Sequence, residues 1–204
     1  MQAVPLGNGG WTQGEVLDTA DFLEPAPAEP GGEQVDLVVL AEVLAQRAIE
    51  QLVLDPPVPL TSVNGSGWVG VPMWMWIEGG ASSTGPVSAT ATAGAARVTA
   101  TGRLSAVEWS MGPPGAEVRC AGPGTAWTGQ TGSSPDCGYT YELRSLPERT
   151  DGSGRWTVIA TSVWTVTWTG VSGGVPVAGE ETVRVSAETT LGVGEVQVLV
   201  GGTR

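Results

Sequence analysis

Two hydrophobic periods divide the chain. Leu37, Leu40, Ala41, Leu44, Ala48, Ile49 and Leu52 recur at helical spacing, Asp36 stands where an N-cap would, and Pro56-Pro57 forbids continuation. The pattern predicts one helix over residues 36–53. Glu42, Arg47 and Glu50 interrupt it, so it is expected to pack on a sheet rather than span a bilayer. After Pro59 the period becomes two. Residues 60–63 and 68–71 flank Asn64-Gly65, a strong hairpin signal. Residues 69–77 are apolar on both sides, with Met73, Met75 and Ile77 on one and Trp74 and Trp76 on the other, so a strand there should be covered on both faces. Further strands are expected near 87–93, 96–101, 106–111, 116–120, 139–143, 156–169, 181–189 and 195–200.

Within 156–169 the parity is informative. Trp156, Trp164 and Trp168 align with Val158 and Val166, while Thr157, Thr161, Thr165, Thr167 and Thr169 take the other side. The run is longer than an ordinary strand, which predicts a bend or bulge where parity switches. Either these tryptophans fill a core, or Trp164 and Trp168, with Trp127 from a loop, form a platform on which sugar rings stack.

Short strands separated by turns rich in the chain's 31 glycines and 15 prolines indicate a mainly β protein with an antiparallel β-sandwich and one N-terminal helix. The expected organisation is an extended or loosely docked segment over 1–34, a helix and linker over 35–57 and the sandwich over 58–204.

Composition narrows the chemistry. A net charge of −12, with no lysine, argues against nucleic acid and against anionic lipid surfaces. The chain contains no histidine, which removes Ser-His-Asp and Cys-His nucleophile pairs and His-ligated zinc. Without lysine there is no Walker A loop and no Schiff base. No cofactor and no metal is expected. Gly65-Ser66-Gly67-Trp68-Val69-Gly70 has the dinucleotide-loop spacing, but Pro72 and an apolar strand follow where a helix would have to begin. Asp18, Asp21, Glu24, Glu29 and Glu33 cluster near the N-terminus and Glu180-Glu181 sits at an expected turn; nothing fixes two of these as a hydrolytic pair.

Cys120 and Cys137 bracket a loop rich in Gly, Pro and Thr between two expected strands. A disulfide is expected there, with two buried free thiols as the alternative; a bridge would imply an oxidising compartment. The N-terminal residues show neither a charged leader nor an apolar run. The Ala, Gly, Val, Thr, Arg and Trp bias suits a GC-rich genome such as an actinobacterium's.

Three stretches then carry a resemblance. Ala106-Val107-Glu108-Trp109-Ser110-Met111-Gly112 resembles the W-D-F-G-D-G signature of PKD domains; Cys137-Gly138-Tyr139-Thr140-Tyr141 sits where that family has H-x-Y; and Gly154-Arg155-Trp156-Thr157-Val158-Ile159-Ala160-Thr161 resembles its G-x-Y-T-V-x-L-T strand. Over about 35–200 the chain is also similar to a group of uncharacterised actinobacterial exported proteins. The resemblance implies an immunoglobulin-like sandwich with its core at about 87–190 and Trp109 as a buried core marker. The family's acidic turn is replaced by Ser110, Pro113 and Pro114, and its His by Tyr139, so the resemblance brings no metal site.

These readings converge on a non-catalytic, secreted or cell-surface structural or adhesive module that contacts protein or polysaccharide and does not insert into a membrane. The alternatives are a carbohydrate-binding module using surface tryptophans, a subunit of an extracellular assembly with residues 69–77 as an interface strand, and, most remotely, a carboxylate-dependent hydrolase. The sequence leaves the oligomeric state open.

Overall fold

The computed structural model describes residues 30–196. In chain order these form α1 (Pro30–Glu50), β1 (Pro59–Thr61), β2 (Ser66–Trp68), β3 (Pro72–Ile77), the short α2 (Ala81–Thr84), β4 (Val87–Ala93), β5 (Ala96–Ser110), β6 (Glu117–Cys120), β7 (Gly138–Thr140), a 3-10 turn at Pro147–Arg149, β8 (Trp156–Ser172) and β9 (Val175–Gly194). The protein is mainly β. A three-stranded sheet runs β1-β3-β7, and a six-stranded sheet runs β2-β9-β8-β5-β4 with β6 also on β5. The larger sheet curls into an open half-barrel.

Its spine is the antiparallel set β5, β8 and β9; one face is buried along most of β5 and β8 and half-buried along most of β9. Trp156, Val158, Ala160, Ser162, Trp164 and Val166 of β8 all turn inward, so parity never switches within β8. The expected irregularity lies in β5. Leu104 opposes Trp164 and Ala106 opposes Val163, leaving Ser105 as the extra residue of a bulge. That one insertion moves the inward positions of β5 from Val98 and Ala100 to Val107 and Trp109. It therefore lets a single strand replace the two expected at 96–101 and 106–111 while both halves face the same core.

Two elements share the buried face. At one end α1 lays Leu44, Ala45 and Ala48 over Val98, Ala100, Trp164 and Val166. At the other end β3 brings Met73, Met75 and Ile77 against Val107, Trp109, Met111, Trp156 and Val158. Trp109, the expected core marker, is buried. Tyr141 is buried beside it and donates its hydroxyl to the Met111 carbonyl at 2.8 Å.

Several expectations need correction. The helix begins at Pro30, ahead of Asp36, because proline suits a first helical turn; residues 30–34 are therefore helical rather than extended, and the rest of the extended segment expected over 1–34 lies outside the described residues. Asn64-Gly65 does form a turn, with both φ values positive and the Ser66 N–H donating to the Val63 carbonyl at 2.9 Å. The strands on either side do not pair with each other, however: β1 joins β3 and β2 joins β9 in parallel. The turn thus passes the chain from one sheet to the other. Residues 69–77 offer no interface strand, because β3 is the middle strand of its sheet and Trp74 is buried on its outer side, where its indole N–H donates to the Gly132 carbonyl at 2.9 Å. Of the strand expected at 195–200, Glu195 and Val196 are outside any strand and the rest lies outside the described residues. Among the described residues, no helix is long and apolar enough to cross a membrane.

Candidate binding surface

Among the described residues no helix or strand packs on the face of the large sheet opposite its core, and that face, apart from the buried Ala106 and Val163, is built largely from hydroxyls. Cross-strand register lines them up: Thr90, Thr99 and Thr169 form one row, Ser88, Thr101 and Thr167 a second, and Thr165 and Thr182 a third. Ser88 and Thr101 share a hydrogen bond at 2.9 Å, Thr90 and Thr99 one at 2.8 Å, and Thr161 and Ser186 one at 2.9 Å. Threonine suits this role because its branched β-carbon fills the pleat while its hydroxyl stays available to solvent or a ligand.

At the β6 end the face dips into a shallow cleft of about 450 Å³ lined by Glu108, Ser110, Glu117, Arg119, Ile159 and Thr161, among others. Glu108 is clamped there between Arg119 and Arg184, one guanidinium on each carboxylate oxygen. The Arg184 hydrogen bond holds Glu108 below its ordinary carboxylate range, outweighing desolvation, and the charges of Arg184 and Arg119 add to it. A carboxylate held this way stays ionised and is a poor proton donor at neutral pH.

The second feature is the loop 121–136, which the cysteines close. Their sulfurs stand at disulfide distance, with Cα atoms 5.4 Å apart. The loop lies on the outer side of β3: the Met75 N–H donates to the Cys137 carbonyl and the Ile77 N–H to the Pro123 carbonyl, each at 2.9 Å. Gly124, at φ +84°, sits where a β-carbon would strike the Met75 carbonyl and the Trp76 backbone, so only glycine fits. Asp136 ties the loop to itself by accepting from the Thr125 hydroxyl at 2.8 Å and the Thr125 N–H at 3.1 Å. Desolvation pushes this carboxyl up, but the Thr125 contacts, Ser134 and the Cys137 N–H together bring it below its ordinary value.

The three tryptophans expected as a stacking platform do not come together. Trp164 is fully buried in the α1 core, which corrects its assignment as a ligand contact: its ring packs against Gly85, where an added β-carbon would approach it to 2.9 Å. Trp168 is half-buried at the edge of the same core and lies over Gly179, its cross-strand partner on β9, where any β-carbon would collide with the indole. Trp127 alone of the three is exposed, at 38 %, and its N–H is spent on the Gln130 carbonyl at 2.7 Å within its own loop. Trp68, not among the three expected, is more exposed at 50 % and covers Gly194. Its place in a two-periodic run opposite a small residue is not visible until the parallel β2–β9 pairing is known.

No protein family, curated protein or solved structure matches the chain.

Proposed function

We propose that this protein is a non-catalytic structural or adhesive module working outside the cytoplasm, and that it meets its partner, protein or polysaccharide, through the threonine face of the large sheet. The observation that carries this reading is the division of the sheet: every large apolar side chain of β8 that the sequence offered as a platform faces the core or its edge, and the rows of hydroxyls face out. An immunoglobulin-like arrangement of the PKD kind accords with Trp109 buried between the two sheets. Export accords with the paired cysteines, since such bridges persist in oxidising compartments. A hydrolase is the poorer account, because Glu108, one of the two acids that line the cleft with Glu117, is paired with two arginines rather than kept protonated as a general acid.

The reading is tested by incubating the protein with cell-wall material and with insoluble polysaccharides, then repeating the assay with T101K/T167K, which places two long cations in the middle row. Retention of wild type with loss of the variant is expected. Equal retention of a folded T101K/T167K protein would remove the threonine face from the account. A second reading, sugar stacking on an aromatic side chain, rests on Trp127, and W127A distinguishes it: that substitution should abolish binding only if the loop, not the sheet, is the contact.

A further inference from the structure

Among the described residues the large sheet has one long open edge. β2 covers β9 only at Ser66↔Gly192, Gly67↔Val193 and Trp68↔Gly194, and Arg155 covers the next position by donating to the Thr190 carbonyl at 2.8 Å. From Val175 to Thr189 the outer side of β9 has no strand beside it. The direction of its backbone groups can be read from the covered end. The Gly192 N–H donates to Gly65 and the Gly194 carbonyl accepts from Val69, both on the side away from β8. Pairing with β8 runs without a register shift from Ser172↔Val175 to Trp156↔Leu191, so the even-numbered residues of β9 turn their backbone groups outward: N–H and C=O from Ala178 onward, and C=O alone at Pro176, which has no N–H. Such a row is a template for another strand.

We propose that a second copy of this chain occupies that edge, β9 against β9 in antiparallel register about a two-fold axis at Thr182. The charges and the covered end select this register. Residues 175–189 have Thr182 at their centre, so the whole open edge is used and the partner's β2 passes beyond the tip of the β8–β9 hairpin. Glu180 then faces the other copy's Arg184 on both sides of the axis, Ala178 faces Ser186, and no like charges meet. Centring the pair on Arg184 would oppose Arg184 to itself and Glu180 to Glu188. Centring it on Glu180 or Glu188 would oppose identical acids. Centring it on Ser186 would bring Gly192, already covered by β2, against Glu180. β4, at the other edge, is shorter and carries no charge that could set a register. The pairing extends the threonine face across both copies, and it stands independently of what that face binds.

The charges also admit a protective role, in which Glu180, Arg184 and Glu188 keep other strands away. Sedimentation across a concentration series separates the two. Dimer formation by the wild-type chain is expected, with T182P, whose lost N–H points outward and not to β8, associating at least about tenfold more weakly while remaining folded. E180R, which sets a cation against the other copy's Arg184 while leaving the Glu108 pair of Arg184 intact, should weaken association. Under mild oxidation T182C should yield a covalent dimer, because the two positions meet on the axis, whereas S186C should not, because Ser186 faces Ala178. A wild-type chain that stays monomeric at every concentration, or T182C and S186C cross-linking alike, would overturn the proposal.

Discussion

The two ends of the sheet's inward face are closed by different means. Under α1 the contact is rich in small side chains, Ala45 and Ala48 with Ala91, Ala96 and Ala100, filled out by aliphatic Leu44, Leu52, Val98 and Val166 and by Trp164 as the one aromatic ring buried there. Under β3 it is made of Met73, Met75, Met111, Trp109, Trp156 and Tyr141, and the covering strand is itself held down by the cysteine-closed loop. Alanines let a helix approach the sheet closely, whereas a second sheet stands about 10 Å away and needs long side chains to fill the gap. One face can thus carry two covers because β8 keeps its parity and the Ser105 bulge resets that of β5.

The comparison can be broken at either end. The largest effect is expected from W109A or W164A, each removing a fully buried indole at a cost of about 3–5 kcal/mol in urea unfolding. Hydrogen exchange should show W164A loosening α1 first and W109A loosening β3 first; identical patterns would mean that the two ends are one core. Next comes C120S/C137S. Opening the loop should cost about 3 kcal/mol on the chain-entropy account, with exchange rising in β3 and β7 while α1 stays protected. A48L should cost about 1–3 kcal/mol by forcing the helix off the sheet, an effect confined to the α1 end.

The smallest effect concerns pH. Asp136 titrates below its ordinary value in the folded loop, so its contribution is present above the ordinary value of 3.8 and is lost as pH falls through the lower folded value. The Thr125 amide resonance should therefore move only at pH below 3.8, and D136N should abolish that movement.

Much of this architecture was legible in the residues. The helix face, most strands of the large sheet and the cysteine pair follow from local period and spacing, while the burial of Trp109 was implied by the resemblance to PKD domains. What local pattern cannot supply is the identity of neighbours. The alternation of Trp and Thr along β8 was plain, but which side met solvent depended on α1 and β3 arriving over the tryptophans from distant parts of the chain. Asn64-Gly65 announced a turn correctly, yet β2 left for β9 because the partner of a strand is chosen by the whole sheet. The bulge was expected in β8 and lies opposite it in β5, since period alone does not say which of two paired strands takes the extra residue. Glu108 escaped notice because Arg119 and Arg184 reach it only through cross-strand register.

Hydroxyl-radical footprinting of the native protein, read tryptophan by tryptophan, tests the division of the sheet most directly. Rapid oxidation of Trp68 and Trp127 with strong protection of Trp109, Trp156 and Trp164 is the expected pattern. Trp164 oxidised as fast as Trp127 would mean that the aromatic side of β8 is the open one, and the account would fail.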